Sequence, residues 1–143
     1  MPADELAIVT VGEPTPALNR FFYVEVGRAW NWTDRLGWSL REWDEHVRRD
    51  GLQTIVGYHR GAPVGFCELE AQDEGDVQIG YFGLLPQFIG RRFGGALLTA
   101  GVEAAWAVAG ARRVWVHTCS RDHAAALPNY QARGFSIYRE QRR

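Results

Sequence analysis

The stretch LLPQFIGRRFGGALLTAGVEAAW, residues 84–106, constrains the fold more than any other part of the chain. A strand-like run ends at a proline, glycines and arginines follow, and a long apolar helix-like run then begins. The first N–H groups of a helix have no acceptor within the helix, and the helix dipole favours negative charge there. This strand–turn–helix unit therefore predicts an anion site at the start of the helix.

Glycine and arginine contribute differently to such a turn. Gly90, Gly94 and Gly95 allow the backbone to approach a ligand closely. Arg91 and Arg92 add forked donors that suit phosphate oxygens. The alternative interpretation is an ordinary strand-to-helix turn with solvated arginines. Two other phosphate motifs are excluded, because the chain has no lysine for a P-loop and its glycines do not follow the dinucleotide-binding spacing.

Length, charge and cysteine count limit the class of protein. The chain has 143 residues, which predicts a single domain over residues 1–143. Its 17 acidic and 16 basic residues nearly cancel, so no overall field favours nucleic acid or an anionic membrane. Cys67 and Cys119 are too few for a disulfide framework and favour a reducing compartment. With no apolar run of signal or membrane-span length, the expectation is a cytoplasmic protein without membrane partners.

Hydrophobic patterning and capping signals predict the element order β-α-α-β-β-β-α-β-α-β. Thr15 is a candidate N-cap before Pro16, and the first helix is expected to end near Gly27. Ser39 and Glu42 have the spacing of a capping box at the second helix. Two hairpins followed by strand–helix–strand predict an α/β (mixed α+β) fold, in which helices cover both faces of a mixed sheet.

The turn resembles the acetyl-CoA loop of the GNAT-type N-acetyltransferase family. That loop reads Gln/Arg-x-x-Gly-x-Gly/Ala and follows a strand ending in a hydrophobic-x-Pro step. Residues 84–86 (LLP) match the step and residues 89–94 (IGRRFG) match the loop, with Ile89 in place of Gln/Arg and Arg92 in place of the inner glycine. The resemblance assigns acetyl-CoA binding to Leu84, Leu85, Ile89, Gly90, Arg91, Arg92, Phe93, Gly94, Gly95, His123 and Tyr130.

A second landmark of the family lies one strand and one helix beyond the loop. The family has a helix ending in Tyr-x-x-x-Gly-Phe, and residues 130–135 read YQARGF. His123 stands seven residues before the tyrosine, where many members have asparagine. The resemblance implies a GNAT-like, mostly antiparallel sheet. No metal is expected, because the sequence has no recognisable metal-ligand spacing. Because only residues 139–143 follow the last predicted strand, we expect this chain either to lack the family's final strand or to have its place taken by a neighbouring chain. A homodimer would cover the exposed edge.

The activity implied by the resemblance is transfer of an acetyl group from acetyl-CoA to a primary amine by direct attack in a ternary complex. The amine must lose a proton, and the leaving thiolate, with a pKa near that of cysteine, about 8.5, must gain one. Alignment with the family gives the acid role to Tyr130, and the alternative is that this tyrosine only packs. The glutamate of the histone-acetylating branch is replaced by Gln78. Glu70, expected beside Gln78 in a hairpin, is the first candidate base and Glu68 the second, unless both are ion-paired strand residues.

The loop AWNWTDRLGW between the first two helices is the candidate acceptor site. Trp30 and Trp32 would supply aromatic walls and Asp34 a carboxylate for the amine, although tryptophans at helix ends also pack in cores. No acidic groove stands out, so a small-molecule amine is preferred over a protein lysine. The alternatives are a non-catalytic acyl-CoA-binding GNAT-like sensor or partner domain, favoured by Gln78 and the loop departures, and a generic binder of phosphate ligands.

Overall fold

The structure, a computed structural model, describes residues 6–30 and 32–116. In chain order the strands and helices are β1 (Ala7–Thr10), α1 (Pro16–Trp30), α2 (Leu40–Val47), β2 (Leu52–His59), β3 (Ala62–Ala71), β4 (Asp76–Leu84), α3 (Phe93–Trp106) and β5 (Arg113–Val116). Single 3-10 turns precede β4 and α3 at Asp73–Gly75 and Pro86–Phe88. The predicted element order is confirmed through β5, and the last predicted helix and strand lie outside the described residues.

The five strands form one sheet in the order β1-β2-β3-β4-β5. The first three neighbouring pairs are antiparallel, and β4 pairs with β5 in parallel. Antiparallel neighbours need only a short turn, whereas a parallel pair needs a crossover, which α3 supplies here. The mixed, mostly antiparallel sheet is the one that the sequence predicts.

Helices pack on both faces of the sheet. On one face α3 contributes to an apolar cluster formed by Ile55, Cys67, Leu69, Val77, Ile79, Leu97, Leu98 and Ala105. On the other face α1 contributes to a cluster formed by Phe22, Val26, Val56 and Phe66. Successive strand residues point to opposite faces, which is why neighbours such as Phe66 and Cys67 belong to different clusters. Phe22 stacks on Phe66 with ring centroids 5.1 Å apart.

The starts of α1 and α2 follow the capping signals in the sequence. The hydroxyl of Ser39 accepts a hydrogen bond from the N–H of Glu42 at 3.2 Å, and the N–H of Ser39 donates to the Glu42 carboxylate at 2.8 Å. This is the predicted capping box. Helix α1 begins at Pro16 as predicted, although the Thr15 hydroxyl donates to the Glu13 carbonyl at 2.8 Å.

The end of α1 differs from the prediction, because the helix passes Gly27 and ends at Trp30. The Trp32 N–H donates to the Gly27 carbonyl at 3.1 Å. A Cβ atom at position 27 would lie 2.7 Å from the Trp32 Cβ. The glycine therefore permits close packing of a tryptophan against the helix and does not end it.

Strand β4 contains a β-bulge. Glu68 pairs with Tyr81 and the next residue, Leu69, pairs with Ile79, so Gly80 is an extra residue of β4. A bulge leaves one residue outside the hydrogen-bond ladder and bends its strand. Within the described residues, β5 pairs with residues 76–79 of β4. The bulge thus bends β4 four residues before its end at Leu84, from which the chain continues towards α3.

Gly83 allows α1 to approach β4, because a Cβ atom at this position would lie 2.4 Å from Cγ1 of Val26. We expect Gly83→Ala to lower the free energy of unfolding by about 1–3 kcal/mol through overpacking, measured by urea denaturation. Adding Gly83→Ala to Val26→Ala should cost little, since the smaller side chain makes room. Gly12→Ala is the control, because no atom lies within 4 Å of its added Cβ. Equal losses of unfolding free energy in Gly83→Ala and Gly12→Ala would contradict the packing argument.

Candidate active site

Strand β4 leads directly into the loop that the sequence predicts to bind phosphate. The strand ends at Leu84, and the N–H of Leu85 donates to the Val64 carbonyl at 2.8 Å, which holds the start of the loop against β3. The 3-10 turn Pro86–Phe88 then carries the chain towards α3, which begins at Phe93. The loop is therefore fixed at both ends to the sheet and to a helix.

The backbone of this loop has two residues in the left-handed region, Gly90 with φ 87° and Arg92 with φ 70°. Arg92 is the N-cap of α3 and makes no side-chain capping hydrogen bond. A Cβ atom at Gly90 would have no neighbour within 4 Å, and one at Gly94 would lie 3.6 Å from Cδ1 of Leu84. The positive end of the helix and the open backbone at Gly90 fit a phosphate-bearing group.

Two aromatic rings hold Arg91 near the start of α3. Its guanidinium carbon lies 5.3 Å from the ring centroid of Phe88 and 5.4 Å from that of Phe93. Both rings are buried in a small cluster with Val64. Ile89, which replaces Gln/Arg of the family loop, is 41% exposed. Sequence reasoning selected Arg91 and Phe93 but missed Phe88, although its spacing from Phe93 across the turn was visible.

Glu68 lies at the centre of a buried polar cluster. Its carboxylate accepts hydrogen bonds from Nδ2 of Asn19 at 2.9 Å and from one terminal nitrogen of Arg35 at 3.1 and 3.2 Å. Nε2 of His46 lies 3.0 Å from Oε1 and is the ring nitrogen that donates to it. The Asn19 amide also donates to the hydroxyl of Thr54 at 2.8 Å. Groups from α1, from the loop after it and from α2 therefore meet on one carboxylate of β3.

These contacts determine the ionisation of Glu68. Burial alone raises its pKa, but the hydrogen bond from His46 and the positive charge of Arg35 outweigh burial and lower the pKa from 4.5 to about 2. The carboxylate is therefore ionised at neutral pH, and both of its oxygens are engaged in hydrogen bonds. A group in this state stabilises the packing of helices on the sheet.

The guanidinium of Arg35 lies in an aromatic box formed by Tyr23, Trp38, Trp43 and Tyr81. Its central carbon is 4.3 Å from the Tyr81 ring centroid, 4.8 Å from Trp38, 5.6 Å from Trp43 and 5.7 Å from Tyr23. Burial raises the pKa of both tyrosines, so their rings are neutral phenols at physiological pH. The aromatic box is therefore filled by the guanidinium of Arg35, a side chain of this protein.

The candidate acceptor residues Trp32 and Asp34 differ in exposure. Trp32 is half-buried and packs inward, with its ring centroid 4.8 Å from Tyr81 and 5.6 Å from Tyr23. Asp34 is exposed. The side chain of Trp30 lies outside the described part of the structure. Sequence reasoning did not select Arg35, although its position among several aromatic residues was a signal for a cation–π contact.

Glu70 pairs directly with Gln78, which confirms the register predicted for this hairpin. Its carboxylate forms an ion pair with Arg49, and its side chain is 24% exposed. In the turn after β3, Nε2 of Gln72 donates to Oε1 of Gln78 on β4 at 3.1 Å, and Nε1 of Trp115 on β5 donates to Oε1 of Gln72 at 3.0 Å. Glu70 is thus the accessible carboxylate of β3, beside a chain of amide and indole hydrogen bonds.

The other predicted residues, His123 and Tyr130, lie outside the described residues. Among residues 6–30 and 32–116, no three or more histidine, cysteine, aspartate or glutamate side chains are grouped so as to hold a metal ion. Within the same ranges, every helix is too short or too polar to cross a membrane.

Known proteins resemble this chain in sequence pattern and in fold. The model of the family described as Acetyltransferase (GNAT) family matches residues 15–135. No curated protein matches the sequence.

Several solved structures share the fold at low sequence identity. An aminoglycoside acetyltransferase, meta-AAC0020 from an uncultured soil metagenomic sample, in complex with sisomicin, is 13% identical with a TM-score of 0.75, and the match covers 95% of this chain and 91% of that one. AAC(6')-Iy in complex with a CoA bisubstrate analog is 18% identical, with a TM-score of 0.70 and coverage of 96% and 99%. A transcriptional regulator from Bacillus halodurans C-125 is 18% identical, with a TM-score of 0.71 and coverage of 96% and 97%. At these identities the similarity establishes the fold.

The lowered pKa of Glu68 predicts a specific loss of stability in acid. Ionisation of this group stabilises the fold above about pH 4.5, and the stabilisation is lost as the pH falls towards 2. The difference between 4.5 and about 2 corresponds to on the order of 3 kcal/mol. In urea denaturation, wild type should therefore be more stable than Glu68→Gln above about pH 5, and this gap should narrow by that amount towards pH 2.

The control for this measurement is Glu45→Gln, which removes an exposed carboxylate paired with Arg41 on the surface of α2. Its difference from wild type should be small at every pH, because exposed ion pairs contribute little. A gap between wild type and Glu68→Gln that stays constant with pH would contradict the inferred ionisation.

Proposed function

Because the chain belongs to the GNAT acetyltransferase family, we propose that it transfers the acetyl group of acetyl-CoA to a primary amine, with a small molecule as acceptor. The observation that carries this proposal is the β4–α3 loop, where the positive N-terminus of α3 follows the open backbone of Gly90. Arg91, held by two rings, adds positive charge beside it. The complex of AAC(6')-Iy with a CoA bisubstrate analog supports CoA as the carrier.

The proposed acetyl-CoA site contains the whole loop and two residues beyond the described part. Its phosphates would accept hydrogen bonds from the first N–H groups of α3 and meet the guanidinium groups of the loop. The proposed contact residues are Leu84, Leu85, Ile89, Gly90, Arg91, Arg92, Phe93, Gly94, Gly95, His123 and Tyr130.

The proposed reaction is direct acyl transfer. The amine nitrogen attacks the thioester carbonyl carbon, the carbon–sulfur bond breaks, and the thiolate leaves. Glu70 accepts the proton that the amine loses, and the phenol of Tyr130 supplies a proton to the thiolate. The bulge at Gly80 supports transfer beside it, because a strand N–H outside the ladder is a suitable donor to the developing oxyanion.

We propose Glu70 and not Glu68 as the base. A general base works best with a pKa near the working pH and must be able to reach the acceptor. Glu68 has a pKa of about 2, and both of its oxygens are engaged by neighbouring side chains. Glu70 is 24% exposed and, among the described residues, has a single ion-pair partner, Arg49, whose side chain is 56% exposed. It lies opposite Gln78, which precedes the bulge residue Gly80 by two positions. Glu68 then has a positioning role.

The proposed contacts for the amine are Trp30, Trp32 and Asp34, of which Asp34 is exposed on its loop.

A second candidate function is a non-catalytic sensor that binds acyl-CoA. Two observations favour it: Gln78 cannot accept a proton, and the aromatic box that would suit an amine is filled by Arg35. A solved structure of similar fold is a transcriptional regulator. A sensor would use the same loop, so the two functions differ in turnover and not in cofactor binding.

Calorimetric titration with acetyl-CoA, CoA and ATP tests the proposed loop. We expect roughly micromolar binding of both CoA compounds and much weaker binding of ATP. Gly94→Glu should weaken CoA binding at least about 100-fold, because the new carboxylate repels phosphate, while its position in the first turn of α3 favours the helix. Gly12→Glu, with open space around it, adds the same charge elsewhere and should bind normally.

The outcomes of this titration separate the candidate functions. Binding with thiol release on addition of primary amines supports the transferase, and binding without release for any amine supports the sensor. Equal affinity for ATP, or unchanged affinity in Gly94→Glu, would reject the loop as a CoA site.

Glu70→Gln tests the proposed base. We expect kcat/KM to fall by roughly 10²–10⁴, with loss of the acid limb of the pH–rate profile, because glutamine cannot take the amine proton. CoA affinity should be unchanged. Glu45→Gln is the matched control, and a Glu70→Gln profile that keeps the wild-type acid limb would assign the base elsewhere.

A further inference from the structure

Arg35 is fastened at both its backbone and its side chain. Its N–H donates to the hydroxyl of Tyr23 on α1 at 2.9 Å, and its guanidinium donates to Glu68 on β3. The side chain is 12% exposed. The α1–α2 loop, described from residue 32 to 39, is therefore attached through one residue to a helix and to the sheet.

The loop covers a defined part of β4. Trp32 lies 4.8 Å from Tyr81 between ring centroids, and its Cη2 would lie 3.6 Å from a Cβ atom at Gly83. The guanidinium of Arg35 lies over the same Tyr81 ring at 4.3 Å. These contacts are on the α1 side of the sheet, between the bulge at Gly80 and the end of β4. The α1–α2 loop thus forms a wall beside the point where the acetyl group would be transferred.

Hydrogen bonds between nearby backbone groups shape this loop. The N–H of Leu36 donates to Thr33 at 3.2 Å and that of Trp38 donates to Arg35 at 3.0 Å, both within the loop. The buried charge pair of Arg35 and Glu68, which His46 and Asn19 complete, attaches the loop to β3, beside the ring contact of Trp32 with Tyr81. Without Arg35 the carboxylate would lose a buried charged partner and the loop its hydrogen bonds to β3, so residues 32–38 would be held less firmly.

We propose that Arg35 is a positioning residue for the acceptor: with Glu68 it holds the α1–α2 loop over β4, and the amine substrate lies against the wall so formed. This inference rests on the proposed acetyl transfer and deepens it. The described partners of Arg35 include no residue of the β4–α3 loop or of α3, where acetyl-CoA is proposed to bind. Loss of Arg35 should affect the amine and leave CoA binding intact.

The test compares Arg35→Met with Arg28→Met, which removes an exposed arginine from the last turn of α1. Thiol release from acetyl-CoA is measured with benzylamine and sisomicin as probe amines. We expect Arg35→Met to raise the KM for the amine roughly 10- to 100-fold, since a small displacement of a positioning group has an effect of this size. The KM for acetyl-CoA and the affinity for CoA should match those of Arg28→Met. Arg35→Lys, which keeps the charge but not the planar fork, should lie between wild type and Arg35→Met.

A double variant and a second readout keep the proposal testable in every case. If Arg35→Met does not fold, Arg35→Met/Glu68→Gln removes both charges together and should show the same selective rise in amine KM. Hydrogen exchange, measured without any amine, should be faster at residues 32–38 in either variant than in Arg28→Met. If wild type binds CoA but acetylates no amine, the proposed function fails. The hydrogen-exchange rates at residues 32–38 still show whether Arg35 holds the loop in place. An unchanged amine KM, or unchanged exchange in the loop, would overturn the inference.

Discussion

The structure depends on a carboxylate that is buried in an apolar sheet and remains charged. Glu68 would be costly in that position by itself, because burial disfavours its ionised form. Donors from three separate segments compensate for this cost, namely Asn19 of α1, Arg35 of the α1–α2 loop and His46 of α2. The same contacts fix where the two helices lie on the sheet, so the requirement to satisfy one charge sets the architecture of that face.

Strand β4 connects this face to the proposed chemistry. It pairs with β3 along its length, its bulge at Gly80 interrupts that ladder, and its end leads into the loop before α3. The loop proposed to bind acetyl-CoA thus follows the strand directly along the chain. The wall of the proposed acceptor site is formed over the strand by residues distant in sequence. Gly83 has no side chain, so both α1 and Trp32 can approach β4 closely at this position. The two substrates of the proposed reaction would then depend on different parts of the chain.

Local signals in the sequence predicted local structure well. The capping box at Ser39 and the start of α1 at Pro16 follow from short-range chemistry and are confirmed. The pairing of Glu70 with Gln78 follows from counting residues around a hairpin and is confirmed as well. The stop expected at Gly27 is wrong, because α1 continues to Trp30 and the glycine instead makes room for Trp32, which packs against the helix. The sequence suggested Trp32 as a wall of the acceptor site, and in the structure its ring packs against Tyr81 and Tyr23 on the α1 face of the sheet.

What the sequence by itself determined was the element order, the helix starts, the hairpin register and the glycine- and arginine-containing loop before α3. All of these depend on interactions between residues close along the chain, which a pattern records directly. Only the tertiary structure decided which of two similar glutamates is buried and which is accessible. Glu68 and Glu70 share one face of β3, but only Glu68 lies beneath α1 and α2 and meets Arg35. That difference arises from packing between distant segments, and the environment it creates sets the pKa and therefore the chemistry open to each carboxylate.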